Sequence, residues 1–325
     1  MSMNALRFHS LAGTPGNTTP ALQDTPPAPL VLALGTFDGV HRGHQVLLRR
    51  AREMACDLRD KIPGVQAGVW FFDPEPAEVL GHPRSYLTTS EEKLRLFASA
   101  GMQTAVIGDF RRLGSESPET FLHTTLTRDC RCVGVVCGFN FRFGHDRAGD
   151  ADLLRATFPG RTEVVDPVLW EGEPISSTRI RQALLDGSVE TANAMLGRPY
   201  SLCLPVEHGQ HLGRRLGIPT VNQWVPDQLA LPARGSYVSR VELDGCVRPA
   251  LTFIGVRPTV SGGAARVICE THLLDYDGDL YGRTLRVSFL RLIRPEMKFS
   301  TLEELKAAME GDLAVCRAYF AEETP

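Results

Sequence analysis

The chain lacks several features that would place it in a protein class at once. Its 325 residues contain no apolar run long enough to span a bilayer and no hydrophobic signal region at the N-terminus. The net charge is only -3, so no broad basic field favours nucleic acid as a partner. The eight cysteines form no C-x-x-C pair, and Cys130-x-Cys132 alone is too weak a signal for a metal site. We therefore expect a cytoplasmic protein with reduced thiols, bound to neither nucleic acid nor membrane, that is a monomer or weak homo-oligomer.

The length suggests two domains, each large enough to bury its own core. Residues 12–29 are rich in Pro, Thr, Gly and Ala and have no apolar period, which predicts a flexible leader over residues 1–29. From Leu30 onward, apolar runs alternate with stretches of helical spacing, which predicts a doubly wound α/β domain around a parallel sheet. After about Gly197, closely spaced β-runs and glycine turns predict an antiparallel barrel. A helix follows from Leu302 to about Phe320, with Thr301 and Glu304 spaced as a capping box.

The most informative string is residues 34–44, Leu-Gly-Thr-Phe-Asp-Gly-Val-His-Arg-Gly-His, in which an apolar strand leads into a helix. A helix start favours an anion, because its backbone N–H groups are unpaired and its dipole is positive there, and Gly43 permits close approach. His41 and His44 can then donate hydrogen bonds to phosphate oxygens and stabilise a leaving pyrophosphate. In the alternative, the glycines only form turns and the histidines lie on the surface. The order of strand, turn, histidine pair and helix favours nucleotide chemistry.

Three further strings carry side chains suited to the same site. Residues 71–76, Phe-Phe-Asp-Pro-Glu-Pro, follow an apolar run, and a simple double-proline turn is the alternative. Residues 138–144 place Asn140 among phenylalanines that either flank a planar ring or pack in the core. Residues 175–181 put hydroxyls and two arginines at a helix start, which makes a second anion cradle unless they serve only as a cap and a solvated face.

The C-terminal half lacks the G-x-x-x-x-G-K-[ST] phosphate loop of many kinases, yet it holds a second set of candidates. The string 208–222 combines three glycines in a basic loop with Thr220 and Asn222, whose oxygens lie on one side of an extended segment and suit a hard cation. A glycine-rich hairpin is the alternative. Glu270 on a predicted strand is suited to accept a proton from a substrate hydroxyl, although on its own it is more simply a solvent-facing residue. The acidic string 275–279 is not an EF-hand, because its glycine comes too early and Arg286 stands where glutamate is required.

Taken together, these strings resemble a known family. Residues 35–41, Gly-Thr-Phe-Asp-Gly-Val-His, are similar to the adenylyltransferase half of the bacterial bifunctional riboflavin kinase/FAD synthetases. Residues 209–222, 255–259, 270–274 and 279–282 occur in an order and spacing that resemble riboflavin kinase. The resemblance implies a nucleotidyltransferase domain of Rossmann-like α/β fold over residues 30–197 and a riboflavin-kinase barrel with its C-terminal helix over residues 198–325.

The resemblance also implies activities, cofactors and residue roles. The C-terminal domain would phosphorylate riboflavin to FMN, and the N-terminal domain would adenylylate FMN to FAD, with ATP as co-substrate and Mg²⁺ as cofactor. Catalytic roles would fall to Glu270, His41, His44 and Arg181; ATP contacts to Gly35, Phe37, Asp38, Gly43, Asn140, Ser177, Thr178, Arg179, Gly213 and Pro219; flavin contacts to Phe72, Asp73, Pro74, Phe141, Arg257, Asp279 and Tyr281; and Mg²⁺ to Thr220 and Asn222.

One position departs from the family pattern, because its members usually carry histidine where this chain has Glu75. One alternative is therefore a riboflavin kinase whose adenylyltransferase site is degenerate. Another is a flavin-binding regulator or carrier without turnover. Intact His41, His44, Arg181 and Glu270 argue against the carrier.

Overall fold

The structure is a computed structural model that describes residues 6–11, 21–23, 28–81, 85–208, 217–257 and 266–323. The chain divides into two compact units, Met1–Ser176 and Ser177–Pro325.

The first unit is built around a seven-stranded sheet. Its strands are β1 Leu6–Ser10, β2 Ala21–Gln23, β3 Leu30–Leu34, β4 Gln66–Phe72, β5 Thr104–Gly108, β6 Cys132–Gly138 and β7 Thr162–Val165, and a separate hairpin pairs β8 Leu169–Trp170 with β9 Glu173–Pro174. Its helices are α1 Arg42–Asp57, α2 Pro76–Val79, α3 Ser90–Ser99, α4 Phe110–Leu113, α5 Pro118–Thr120 and α6 Ala151–Thr157, with 3₁₀ turns at Asp38–Val40 and His145–Arg147 and a π-helix at Phe121–Asp129.

Five of these strands run parallel in the order β5-β4-β3-β6-β7. The chain adds β4 and β5 on one side of β3 and then returns to place β6 on the other side. The sheet is therefore doubly wound, with its switch point between β3 and β6, and the predicted α/β fold is confirmed. Every residue of β3 is buried, as expected for a parallel strand covered on both faces.

Helix α1 lies against this sheet through a regular apolar face. Leu47, Leu48, Ala51 and Ala55 are buried, and their helical spacing brings them into one core cluster with residues of β3 and β4. The helix begins at Arg42, earlier than its apolar period alone indicates, because His41 caps its N-terminus.

The N-terminal segment differs from the flexible leader that the sequence predicts over residues 1–29. Strand β1 pairs antiparallel with β5, and β2 pairs with β1. Phe8 of β1 is buried in the same cluster as Trp70. Phe8 is the large buried residue of this short strand, and a single apolar residue leaves almost no periodic signal in the sequence. Residues 12–20 and 24–27 lie outside the described residues.

The second unit contains a six-stranded antiparallel sheet. Its elements are α7 Ser177–Leu185, α8 Val189–Leu196, β10 Tyr200–Pro205, β11 Val221–Trp224, β12 Gly235–Leu243, β13 Cys246–Arg257, β14 Arg266–Leu273, β15 Thr284–Pro295 and α9 Leu302–Glu323. The strand order is β10-β15-β12-β13-β14-β11.

The two edge strands of this sheet are brought together by one buried amide. Gln223 of β11 donates through Nε2 to the carbonyl oxygens of Leu204 in β10 (2.6 Å) and Leu285 in β15 (2.9 Å). The N–H of Glu207 donates to the carbonyl of Asn222 at 2.8 Å. The sheet therefore curls until its edges meet, in agreement with the predicted barrel.

The C-terminal helix α9 packs on this sheet. At its start, the N–H of Glu304 donates to Thr301 Oγ1 (3.1 Å), as the predicted capping box requires, but the Glu304 carboxylate accepts from the N–H of Ser300 (2.8 Å) rather than that of Thr301. Further along, Asp312 accepts two hydrogen bonds from Arg294 of β15, at 2.8 and 2.9 Å.

The division at Ser176 falls before the domain boundary that the sequence predicts at residue 198. Helices α7 and α8 belong to the second unit because they bond to its other elements. The N–H of Ala233 donates to the carbonyl of Leu184 (2.8 Å), Asn193 Nδ2 donates to the carbonyl of Phe289 (2.9 Å), and Asn193 Oδ1 accepts from the N–H of Tyr200 (2.6 Å).

Candidate active sites

The sheet order of the first unit brings three of the predicted loops to one edge. Residues 35–41 follow β3, residues 73–75 follow β4, and residues 139–144 follow β6. Strand β3 lies between the other two strands, and all three run parallel. Because the carboxyl ends of parallel strands meet at one edge, the histidine loop is flanked by the loop predicted to contact flavin and by the asparagine loop.

The two histidines form a stacked pair at the start of α1. Their ring centroids are 3.6 Å apart and the ring planes differ by 16°. His41 is the N-cap residue, and its Nδ1 accepts the N–H of His44 at 3.3 Å. A neutral imidazole that accepts through Nδ1 carries its proton on Nε2, so Nε2 is the nitrogen able to donate.

Gly43 makes room for this pair. A Cβ atom at Gly43 would lie 3.2 Å from both Cε1 and Nδ1 of the His41 ring. That approach is tighter than ordinary packing, so a larger residue would shift the His41 ring.

Two predicted ATP contacts of the histidine loop, Phe37 and Asp38, have buried side chains, and their contact with ATP stays a prediction. The Phe37 ring is fully buried and packs edge-on against Phe97, with centroids 5.4 Å apart. The Asp38 carboxylate is also buried, and its Oδ1 accepts the N–H groups of Leu87 (2.8 Å) and Thr88 (3.3 Å). A buried carboxylate held by backbone donors shapes the loop, and it would repel a phosphate. Both side chains therefore hold the loop in place.

The loop after β4 contains the predicted flavin contacts Phe72, Asp73 and Pro74. The Asp73–Pro74 peptide bond is cis. Phe72 is partly buried, and its ring lies edge-on to that of Phe110 at 5.2 Å. Asp73 forms an ion pair with Arg7 of β1 at 3.0 Å. The N-terminal strand thus supplies a side chain to this loop.

Glu75, the position that departs from the family pattern, is the N-cap residue of α2. Its carboxylate accepts a hydrogen bond from the buried Lys93 of α3 at 2.5 Å. Sequence reasoning missed Lys93, because a lysine in an amphipathic helix normally lies in solvent.

The loop after β6 exposes Asn140. Phe141 is partly buried and its ring lies against that of Phe143, with centroids 5.9 Å apart. Phe143 itself is a core residue. Core packing, one of the two alternatives left open by the sequence, thus holds for Phe143, whereas Phe139 is half exposed (54%) and a role of these rings beside a planar ligand stays a prediction.

Ser177, Thr178, Arg179 and Arg181 lie in the first turns of α7 and belong to the second unit. Thr178 is exposed, and the other three are partly buried. Their predicted place beside the histidine pair stays a prediction.

In the second unit, the structure brings two predicted residues of the kinase site together. Asn222 of β11 lies directly opposite Glu270 of β14 in the strand register. Asn222 is buried, and Thr220 precedes it by two residues just before the strand begins. Directly opposed residues project to the same face of the sheet, so the Asn222 amide and the Glu270 carboxylate are neighbours.

Glu270 is held by a cation. Its Oε1 lies 2.5 Å from Nη2 of Arg257, a predicted flavin contact at the end of β13. Burial raises the pKa of Glu270 above its usual value, and the Arg257 guanidinium opposes the shift. Two residues further along β14, Nδ1 of His272 lies 2.7 Å from the carbonyl oxygen of Pro219, which fixes the segment leading to Thr220.

Asp279 and Tyr281 are the remaining predicted flavin contacts of this unit. Asp279 accepts the N–H of Tyr281 at 3.0 Å, and the Tyr281 ring stacks on His208 with centroids 4.0 Å apart. Gly213 lies outside the described residues. Asp275, from the acidic string rejected as a calcium site, accepts two hydrogen bonds from Arg317 of α9.

The fold and the two sites define a class of two-domain nucleotide enzymes, with a nucleotidyltransferase-type α/β domain before an antiparallel kinase barrel. The FAD synthetase family model matches residues 23–179, and the riboflavin kinase family model matches residues 196–320. The chain is 37% identical over 304 residues to a bifunctional riboflavin kinase/FMN adenylyltransferase of Pseudomonas fluorescens, covering 90% of this chain and 93% of that protein. It is 35% identical over 311 residues to the protein of the same name from Escherichia coli K12, covering 94% and 97%.

A solved structure is also similar over most of the chain. The crystal structure described as a macrolide-efflux protein from Streptococcus pneumoniae matches with a TM-score of 0.79 and 33% identity, covering 90% of this chain and 94% of that one. In the part of this chain that the structure describes, no helix is long and apolar enough to cross a membrane. The chain belongs to the family of bifunctional riboflavin kinase/FMN adenylyltransferases and carries the two domains in the expected order.

Proposed function

We propose that the C-terminal domain transfers the γ-phosphoryl group of ATP to riboflavin, giving FMN, and that the N-terminal domain then joins FMN to the AMP moiety of ATP, giving FAD and pyrophosphate. One observation carries the proposal: the stacked His41 and His44 lie at the start of α1 in the range that matches the FAD synthetase model, and Asn222 lies opposite Glu270 in the range that matches the riboflavin kinase model.

In the adenylyltransferase step, an oxygen of the FMN phosphate attacks the α-phosphorus of ATP, and the bond from that phosphorus to the pyrophosphate oxygen breaks. His41 and His44 stabilise the charge that develops on the pyrophosphate, supported by the N-terminus of α1. No residue of the chain needs to form a covalent intermediate, so positioning and charge neutralisation lower the barrier. Ser177, Thr178 and Arg181 would hold the ATP phosphates.

In the kinase step, the 5′-hydroxyl oxygen of riboflavin attacks the γ-phosphorus of ATP, and ADP leaves. Glu270 takes the hydroxyl proton, for which its carboxylate must be ionised. Arg257 helps to keep it so, because a nearby guanidinium stabilises the ionised form.

Thr220 and Asn222 suit Mg²⁺ because hydroxyl and amide oxygens are hard ligands. Asn222 also lies next to Glu270, where the phosphates of ATP would meet the hydroxyl of riboflavin. A bound Mg²⁺ would neutralise phosphate charge there.

The eight cysteines are free thiols, which supports the further proposal of a cytoplasmic location.

Purified protein incubated with riboflavin, ATP and Mg²⁺ should yield both FMN and FAD when the flavins are separated by chromatography. Accumulation of FMN without FAD would leave the kinase as the only activity. Unchanged riboflavin would favour a non-catalytic flavin-binding protein.

A further inference from the structure

Lys93 of α3 carries an ammonium group although its side chain is only 2% exposed. Burying an ammonium group is costly unless it is paired and hydrogen-bonded. Its Nζ atom donates to Glu75 Oε1 at 2.5 Å and to the carbonyl oxygen of Thr36 at 3.2 Å, and it lies 5.3 Å from the centre of the Phe71 ring.

These partners belong to the two loops that meet at the carboxyl edge of the sheet. Thr36 lies in the loop that leads from β3 to His41, and Glu75 lies in the loop after β4 that is predicted to contact flavin. One ammonium group thus joins the histidine loop, residues 35–41, to residues 73–75 after β4, here called the flavin loop. A second contact ties the start of α3 to the histidine loop. Asp38 of that loop accepts the N–H groups of Leu87 and Thr88, just before the helix begins.

The charge of the pair matters as well as its position. In the proposed reaction FMN would bring a phosphate dianion near the loop after β4, and an unpaired carboxylate at Glu75 would repel it. Lys93 cancels that charge. The carboxylate that departs from the family pattern is therefore compatible with an anionic substrate.

We propose that Lys93 is a positioning residue of the adenylyltransferase site, which acts through Glu75: it neutralises that carboxylate so that the phosphate of FMN can bind. This inference rests on the proposed function of the N-terminal domain. A purely structural ion pair would have the same contacts, but it would not make the affinity for FMN depend on the sign of the charge.

The test uses the full chain and three variants: Lys93→Met, Glu75→Gln and the double variant. FAD formation is measured with FMN as the varied substrate. Lys93→Met keeps a long side chain but leaves the carboxylate unpaired, so KM for FMN should rise about tenfold, with a smaller change in kcat, and the rise should shrink at high salt. Glu75→Gln should not raise KM. The double variant should return KM to near the wild-type value.

Arg95→Met is the matched control, because it removes a cation from the same helix whose partner is Glu92, one turn away. It should leave KM for FMN unchanged. Riboflavin kinase activity and thermal unfolding of the same samples report on the integrity of each variant. If Lys93→Met does not fold, Glu75→Gln still tests the proposal. A rise of about tenfold in the KM of that variant for FMN would overturn it.

Equal damage by both single variants without recovery in the double variant, or a loss of kcat at constant KM, would leave the pair with a structural role only and overturn the inference. Failure of the proposed function would give a different result from failure of the inference. If the wild-type chain makes no FAD from FMN, the adenylyltransferase assignment itself fails.

Discussion

Asn222 lies directly opposite Glu270 in the pairing of β11 with β14. Opposed residues of an antiparallel pair have Cβ atoms about 5 Å apart on one face. The proposed Mg²⁺ ligand and the proposed general base are thus neighbours, although they come from distant parts of the chain. The arrangement predicts that both act on the same bound ATP and riboflavin.

Glu270→Gln should reduce FMN formation by about 10²- to 10⁴-fold, because the amide cannot accept the hydroxyl proton. FAD formation from supplied FMN should be unaffected, since it occurs in the other domain. Chromatography of the flavins measures both steps. Glu242→Gln, which changes an exposed strand glutamate paired with Arg286, is the control and should preserve both. Equal loss of both steps in Glu270→Gln would refute the assignment to two sites.

The kinase step should lose activity as the pH falls through the raised pKa of Glu270. Burial shifts this pKa upward from 4.5, and a base works only when it is ionised, so the acid limb of the rate profile should lie above that value. Arg257→Met removes the cation that opposes the shift, so the limb should move to still higher pH. Arg317→Met, whose guanidinium pairs with Asp275, should leave the limb in place. A limb that does not move in Arg257→Met would contradict the proposed coupling.

His41→Ala should slow FAD formation by about 10²- to 10³-fold, as expected when a donor to a developing anion is lost. FMN formation from riboflavin should continue at the wild-type rate. His145→Ala, which removes an exposed histidine of the same unit, serves as the control. Normal FAD production by the His41 variant would remove this residue from the proposed mechanism.

Gln223→Leu should lower the free energy of unfolding of the second unit by about 2 kcal/mol, because two buried carbonyl groups lose their donor. Denaturant unfolding monitored by circular dichroism measures the change. Gln228→Leu, at an exposed position nearby in the chain, should have little effect. Unchanged stability in Gln223→Leu would mean that other bonds hold the edges of the sheet together.

Several elements could be predicted closely because their signal is local. Strand β3 has the bounds that its apolar run indicates, and α3 begins where Thr89 accepts the N–H of Glu92 as its cap. The apolar runs 237–243, 249–254, 267–274 and 285–290 predict four barrel strands, and β12 to β15 match them within a few residues because glycine turns mark their ends. Strand β1 was missed, because a five-residue strand whose large buried residue is one phenylalanine has no period to detect.

The roles of individual side chains were less predictable than the elements. Phe37 and Asp38 belong to the nucleotide motif, yet the fold uses both to build the loop. Lys93 carries no motif, and its burial depends on Glu75 and Thr36, which come from two other segments. Burial of a charge is a property of all the surrounding segments together, so no local pattern reports it.

The sequence by itself determined the order of the domains, the two sets of motifs and the residue types able to carry the chemistry, because each depends on neighbours along the chain. Only the tertiary structure decided which loops stand side by side, that Asn222 faces Glu270, and that Lys93 neutralises Glu75. Strand order, register and burial arise from contacts between distant segments, and their free energy depends on the packed whole.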